Sequence, residues 1–378
     1  MKYEVRKRRP GEIRDAIMRV MRASGRPLST ADIEGGVSST LGSAAASSVR
    51  SYLRLNTPPM FVREGRGVYR LHADYDLAEQ EEIPFAHDWL EPFVFGRITL
   101  VHGDCFAWIR QRPDASLHAV VTDPPYGLVE YEPDQQAKLR AGKGGVWRIP
   151  PSFDGSQRSP LPRFTTLTND QLQNLAAFFL RWARALLPKL VPGANVVVAS
   201  NPLLSYIVSC SLAEAGLERR GEIVRLVMTM RGGDRPKAAH REFAGVSVMP
   251  RSMWEPWLVY RKPLDGRAQD NLRRWKTGGF RRPSALVPFG DVIRSSPTHK
   301  KERVIAPHPS LKPQAFMRQI VRAVLPLGEG VILDPFAGSG STLSAAHALG
   351  YECIGVERDD RYFTLAQNAI PRLAALFA

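Results

Sequence analysis

The chain has 378 residues, 44% of them hydrophobic and 24% charged, which gives room for one large domain with a substantial core and a smaller one beside it. No uninterrupted apolar run approaches ~20 residues and no apolar signal core follows the basic start, so a membrane span and an exported protein are not expected, and a cytosolic one is. The net charge of +15 favours a polyanionic partner, while three widely spaced cysteines, Cys105, Cys210 and Cys353, form no CxxC pair and offer neither a disulfide framework nor a metal site.

Residues 1–75 read as a separate small domain. Ile13, Ala16, Ile17, Val20 and Met21 recur at helical spacing, and Gly25-Arg26-Pro27 ends that helix. Ser29 or Thr30 can cap a second helix carrying Ile33 and Val37. A third, over residues 43–55, turns Val49, Tyr52 and Leu53 inward and leaves Arg50 and Arg54 for solvent or phosphate. Residues 61–71 then alternate around a Gly-Arg-Gly turn as a β-hairpin does. Three helices and a hairpin resemble a winged helix-turn-helix module, which implies either an accessory DNA contact through the third helix with Arg63, Arg66 and Arg70 near the wing, or a protein-docking and packing module.

Residues 76–96 are acidic and irregular and read as a linker. From residue 97 a β-α-β unit begins: Ile98-Thr99-Leu100-Val101 is a buried strand, His102-Gly103-Asp104-Cys105 follows at its end, and a short helix leads to the strand Val120-Val121-Thr122. That strand runs into Asp123-Pro124-Pro125-Tyr126. Each proline fixes φ and removes a backbone N–H, so the carbonyls there are held without a competing donor. Such a corner can grip a flat group bearing an NH2, with Asp123 and a carbonyl accepting its hydrogens and Tyr126 stacking on its face; four residues alone are equally consistent with a plain Pro-Pro turn.

The polar stretch 130–165 has no period and reads as a substrate-side loop. A helix over 169–187, a strand over 195–200, a helix over 203–215 and a strand over 222–230 follow. Residues 255–260 suggest a last strand whose Pro256 belongs at an edge or a strand start. Residues 261–306 set twelve basic side chains, among them Arg273, Arg274, Lys276, Arg281 and Arg282, against four acidic ones, with Trp275 and Phe280 interleaved. Cations alternating with aromatics suit phosphate contact and base stacking, so this segment is expected to recognise nucleic acid.

Residues 307–378 carry a buried strand, the turn Asp334-Pro335-Phe336-Ala337-Gly338-Ser339-Gly340 and a helix opening at Ser341-Thr342. Glycines let a ligand approach the backbone, and a helix N-terminus offers unpaired N–H groups. Neither the P-loop nor the GxGxxG spacing is met. Glu357, ending the next strand, lies 19 residues past Gly338, close to the offset at which an acid grips ribose hydroxyls, so a nucleoside cofactor without a pyrophosphate is expected.

Asp123-Pro124-Pro125-Tyr126 and Asp334 to Thr342, with His308-Pro309-Ser310-Leu311-Lys312-Pro313 between them, resemble the amino-group DNA methyltransferases that use S-adenosylmethionine, in the permuted β class whose catalytic motif comes first. The resemblance spans residues 97–375. It implies an α/β, Rossmann-like class I methyltransferase fold with a mixed seven-stranded sheet, double-stranded DNA as partner, homodimerisation and a cytoplasmic protein at the nucleoid. Asp123, Pro124, Pro125 and Tyr126 would hold a base flipped from the duplex. Asp334, Phe336, Gly338 and Gly340 would line the methionine and ribose of the cofactor, Glu357 its ribose hydroxyls, Asp104 and Cys105 its adenine, and Lys312, Ser341 and Thr342 its carboxylate. Ser310-Leu311 departs from the family's usual Thr-Gln.

Aspartate at the first catalytic position points to the exocyclic N6 of adenine, because relatives acting on cytosine N4 more often have serine there. N4-cytosine methylation, a DNA-binding regulator with an inactive methyltransferase-like domain, and an RNA or protein methyltransferase are the competing readings. Asp104 taken alone reads as a helix cap and only the resemblance makes it a ligand, Phe336 has core as its competing reading, and Cys105 taken alone is a small buried apolar residue.

Overall fold

The computed structural model describes residues 12–41, 46–55, 57, 61–71, 91–125, 169–231, 239, 241–248, 250 and 252–376. Tyr126 and the substrate-side loop 130–165 lie outside the described residues. The chain divides into two compact units, Met1–His87 and Asp88–Ala378.

In the first unit, α1 (Glu12–Ser24), α2 (Thr30–Leu41) and α3 (Ala46–Leu55) enclose Ile17, Ile33, Val37, Val49 and Leu53, all without solvent exposure. A hairpin of β2 (Phe61–Gly65) and β3 (Val68–Leu71) closes this core with Phe61 and Leu71. A two-residue strand, β1 (Leu28–Ser29), pairs with β3 and makes a three-stranded sheet. Thr30 ties the start of α2 to the hairpin turn, its backbone N–H and hydroxyl both donating to the Gly67 carbonyl at 2.8 Å.

The second unit is built on a sheet of nine strands. The strands are β4 (Phe93–Phe95), β5 (Ile98–His102), β6 (Leu117–Thr122), β7 (Leu190–Ala199), β8 (Glu218–Arg231), β9 (Ser252–Arg261), β10 (Val292–Arg294), β11 (Val331–Asp334) and β12 (Glu352–Glu357), in the spatial order β10-β8-β9-β7-β6-β11-β12-β5-β4. The seven expected strands are all present, and the short β4 and β10 extend the sheet at its two edges. β4 lies where a linker is expected, since Phe93 and Phe95 pack against the core while β4 pairs antiparallel with β5. Residues 93–95 therefore belong to the sheet, and residues 76–90 of the expected linker lie outside the described residues. Pro256 also departs from expectation: β9 is internal, flanked by β7 and β8. The ladder tolerates the proline because its carbonyl still accepts from Ser200 N–H at 2.9 Å, while Val224, opposite it, donates instead to the Asp291 carbonyl at 2.6 Å.

The period of two along the strands divides the core. Ala119, Val121, Val197 and Ala199 face one side, where α9 (Gln314–Val324), α10 (Ser341–Ala348) and α11 (Asp360–Ala374) supply Phe316, Ile320, Leu343 and Ile370. Val120, Val196 and Val198 face the other, against α4 (Cys105–Gln111), α5 (Asn169–Leu186) and α6 (Ser205–Glu214) with Ile109, Phe179, Trp182 and Leu212. Two further helices, α7 (Ala268–Trp275) and α8 (Lys300–Ile305), belong to the segment between β9 and α9. β5, β12, β11, β6 and β7 run parallel, so the loops at their carboxyl ends converge on one rim of the sheet.

Candidate active site

β6 and β11 are neighbours, which brings Asp123 and the glycine-rich turn together from positions more than two hundred residues apart. Thr122 on β6 donates its hydroxyl to Asp334 Oδ1 at 2.7 Å and so bonds the two halves directly. Asp334 is 3% exposed. Burial pushes its carboxyl up to about 6, against the hydroxyls of Thr342 and Thr122 and the Phe336 N–H, which favour its ionised form.

Pro124 is buried and Pro125 exposed. Asp123 itself is half-buried and accepts from Lys312 Nζ at 2.7 Å through Oδ2. Lys312 also lies 3.5 Å from Glu255 Oε1, and Glu255 in turn faces Arg225 Nη1 at 3.3 Å and the Trp257 indole N–H at 2.9 Å. Burial works against the Lys312 ammonium, but Asp123 and Glu255 outweigh it and hold its pKa above the ordinary lysine range. Lys312 is thus committed to two carboxylates at this rim, one of them the proposed base-holding acid.

The turn after β11 has the shape its glycines allow. Gly338 and Gly340 take φ of 51° and 81°, a region that residues with a Cβ rarely enter. A Cβ on Gly340 would stand 2.5 Å from Ile370 Cγ1, and one on Gly338 3.3 Å from the His308 ring. α10 starts immediately beyond, so its first N–H groups open beside the turn. Glu357 at the end of β12 accepts Gly338 N–H through Oε2 and Asp359 N–H through Oε1, both at 2.8 Å. Each of its oxygens keeps a second lone pair, and burial raises its pKa.

Phe336 is half-buried, its ring 6.0 Å from both Phe178 and Trp182. Asp104 is the N-cap of α4, with Oδ1 accepting from Phe106 N–H at 2.9 Å and Ala107 N–H at 3.0 Å. Burial pushes the adjacent Cys105 thiol up to about 12, which disfavours the nucleophilic thiolate. These groups, with Asp334, Gly338, Gly340, Ser341, Thr342 and Glu357, line the carboxyl ends of β5, β12 and β11. The set suits a nucleoside carrying an amino acid: a carboxylate for hydroxyls, a flat aromatic wall, a buried acid, and a glycine turn with no lysine in it for a phosphate. Among the described residues no group of three or more histidine, cysteine, aspartate or glutamate side chains could hold a metal ion, and no helix is long and apolar enough to cross a membrane.

A profile of the N6/N4 methyltransferase family, described as DNA methylase, matches residues 117–368 and takes in both halves of this site apart from Asp104 and Cys105. The chain belongs to this DNA methylase family. It is similar to the type II methyltransferase M2.DpnII of Streptococcus pneumoniae, 23% identical over 279 residues that cover 72% of this chain and 90% of the relative. It is similar also to the type II methyltransferase M.HindIII of Haemophilus influenzae, 23% identical over 297 residues, 72% of this chain and 94% of the relative. Among solved structures, a putative DNA modification methylase from Thermus thermophilus complexed with S-adenosyl-L-methionine aligns with a TM-score of 0.46 and 20% identity, over 75% of this chain and 96% of that one.

The DNA methylase does not bring every expected residue to the rim. Asn271 of α7 donates to the Pro192 carbonyl at 3.0 Å, near the start of β7, whereas Asp123 lies beside its end, because Thr122 pairs with Val198. Six residues of strand separate the two levels, roughly 20 Å. Arg273, Arg274, Trp275 and Lys276 therefore sit towards the opposite end of the sheet, with Arg273 paired to Asp270 and Arg274 to Asp265 at 3.0 and 2.8 Å. Arg281, bonded to the Tyr351 hydroxyl, and Arg282, whose carbonyl accepts from Arg322, lie at that end as well. The chain crosses the amino ends of the strands there, and charge composition carries no information about which end a segment crosses.

The connection from β8 to β9 emerges instead at the Asp123 rim, and its described part exposes Arg241, Phe243, Val246 and Val248. Glu255, Arg225, Thr122 and His308 are further residues of the site that sequence reasoning left without a role. A signal for the first two existed: each is a lone charge inside an apolar strand, where an ion needs a partner. Burial pushes the His308 imidazole down to about 4. Its Nδ1 accepts Ser310 N–H at 3.1 Å, which leaves the proton of the neutral ring on Nε2.

Proposed function

We propose that this chain is a site-specific adenine methyltransferase that moves a methyl group from S-adenosylmethionine to the exocyclic N6 of a base flipped out of duplex DNA, acting in the cytoplasm at the nucleoid. The observation that carries the reading is the Thr122–Asp334 bond, which joins a rigid Asp-Pro-Pro corner to a glycine-turn cradle within one rim. Family membership supports DNA as the substrate. Aspartate at position 123 supports adenine over cytosine.

In this account Asp123 and the Pro124 carbonyl accept the two hydrogens of the amino group. That nitrogen is a poor nucleophile because its lone pair is delocalised into the ring, and two acceptors draw it towards tetrahedral geometry with the lone pair aimed at the donor. The prolines fix the direction of the carbonyl, and Asp123 stabilises the positive charge that develops on nitrogen. Tyr126 stacks on the base and offsets part of the unstacking cost, a few kcal/mol. Positioning supplies much of the remainder.

S-adenosylmethionine, when bound, would supply an electrophilic methyl group and leave as the neutral thioether, and the methylated nitrogen would then shed one proton to water. Asp334 and Phe336 would hold its methionine end with Gly338 and Gly340, Glu357 its ribose, Asp104 and Cys105 the adenine side, and Ser341 and Thr342 the carboxylate at the start of α10. The β8–β9 connection, with its exposed cation and apolar side chains, is the element of this rim that faces the duplex. In the first unit α3 buries Val49 and Leu53 and exposes Ser47, Arg50, Ser51 and Arg54 along one face. That periodicity supports a winged helix-turn-helix contact with DNA. Incubation of the purified chain with labelled cofactor and either duplex DNA, RNA or protein tests the reading: duplex DNA takes the label, and labelling of RNA alone contradicts it.

A further inference from the structure

The chain of buried charges behind Asp123 has no part in the methyl-transfer account above, and its order is specific. Asp123 on the β6 loop, Lys312 on the segment before α9, Glu255 on β9 and Arg225 on β8 alternate in sign, with successive separations of 2.7, 3.5 and 3.3 Å. The chain is anchored at its far end. Arg225 Nε donates to Ser295 Oγ at 3.1 Å and the guanidinium lies 5.0 Å from the centre of the Phe316 ring. Ser295 follows β10, whose Ile293 pairs with Arg225 itself. Arg225 and Glu255 are both buried, at 3% and 7% exposure.

Methyl transfer makes the accepting nitrogen cationic, and the negative charge of Asp123 is useful in proportion to how little of it is already neutralised. A lysine 2.7 Å away with no other partner would spend its charge on Asp123 and work against the developing cation. A second carboxylate on the same ammonium divides that charge. Glu255 is held in place to do so by Arg225 and by the Trp257 N–H.

We propose that Glu255 and Arg225 are positioning residues for methyl transfer: through Lys312 they fix the place of the Asp123 carboxylate and set how much of its charge the reacting nitrogen meets. This rests on the reading of Asp123 as the base-holding acid. The groups that face the Lys312 ammonium are Asp123 from β6, Glu255 from β9, Arg225 from β8 and His308 from its own segment. The pKa of Lys312 is raised above the ordinary lysine range, so the bridge persists through neutral pH; on the alkaline side the ammonium is lost and with it the contact that holds the Asp123 carboxylate in place, which outweighs the charge released to that carboxylate.

The test uses the full-length protein, a duplex carrying its methylated sequence, and single-turnover kinetics. Glu255→Gln is expected to slow the transfer step at least tenfold, with cofactor affinity unchanged. The alkaline limb of its rate profile moves to lower pH, because Lys312 has lost one of two carboxylate partners. Glu255→Asp recovers part of the rate. In cofactor-free protein, the titration of Lys312 followed by carbon-13 NMR at Cε shifts down in Glu255→Gln. The double variant Glu255→Gln with Arg225→Gln removes both charges together, leaves neither ion without its partner, and is expected to keep the same slowed step. A wild-type rate and pH profile in the double variant would overturn the proposal, as would a Lys312 titration indifferent to Glu255. Wild-type protein serves as the control for the underlying reading: if it transfers no methyl group to duplex DNA, that reading fails, whatever the variants do.

Discussion

Asp123 and Asp334 stand one strand apart at the same rim, yet they meet different surroundings. The first is ion-paired and partly open; the second is buried and bonded to Thr122. Asp123→Ala is expected to lower the transfer rate by at least ~10³-fold while cofactor affinity stays near wild type. Stopped-flow transfer assays and calorimetry read the two quantities separately, and retained turnover contradicts the role. Asp334 gives a pH prediction. Its pKa is raised in the fold, so the folded protein holds that proton more tightly, and the stability this lends is lost as pH rises from about 4 through about 6. In the proposed function the ionised acid left above that range is the form that would attract the ammonium of the methionine end. Affinity for the cofactor should therefore fall as pH drops below about 6. Thr122→Val removes a hydroxyl that favours the ionised form, so it moves this limb to higher pH; calorimetric titration across the range checks the direction. Asp123 and Asp334 were legible in the sequence because each sits in a motif. For Glu255 and Arg225 the sequence shows only that each charge needs a partner; that they partner one another depends on the antiparallel pairing of β8 with β9, a ladder that no local pattern reports.

The glycine turn shows what an element demands of single positions. Gly340→Ala places a Cβ at φ 81° and against Ile370, which packs α11 on α10. A loss of about 2 kcal/mol in stability with weakened cofactor binding is expected, measured by denaturant unfolding and calorimetry; an unaltered melt would mean the turn adapts. The helix α5 and the strands β6 and β11 of the second unit were readable, since α5 carries a continuous apolar stripe and β6 and β11 are short Val/Ile-rich runs, whereas α9 and α11 were not read as helices. Nor were the edges readable. β4 and β10 have three residues each, too few to display a period, and they exist because a neighbouring strand offers unpaired backbone groups. The basic segment after β9 was legible as a composition and not as a location. Arg273→Ala with Arg274→Ala is therefore expected to leave the methylated sequence unchanged, at most weakening duplex affinity in a salt-dependent way. Alanine at Arg241 and Phe243 is expected to lower target affinity or relax the sequence methylated. Genome-wide mapping of methylated bases in cells expressing each variant distinguishes the two surfaces.

For the whole molecule, the order of the motifs and the order of the strands tell one story. The Asp-Pro-Pro corner comes early in the second unit and the glycine turn late, and the parallel pairing of β6 with β11 closes the gap. The permuted order and the α/β class were legible from two motifs. The distance between them was not, because it depends on which strands become neighbours. Among the described residues the first unit has a core of its own. Removing residues 1–87 is expected to leave the transfer step within about twofold of wild type and to lower duplex affinity with a shallower salt dependence; a lost transfer step would show that this unit contributes to the chemistry. Duplex DNA incubated with the purified chain and methyl-labelled S-adenosylmethionine, digested to nucleosides and resolved by mass spectrometry, is predicted to yield N6-methyladenine as the labelled product. Label on N4-methylcytosine would contradict the account of the target base, and no label in any nucleoside would contradict the enzyme itself.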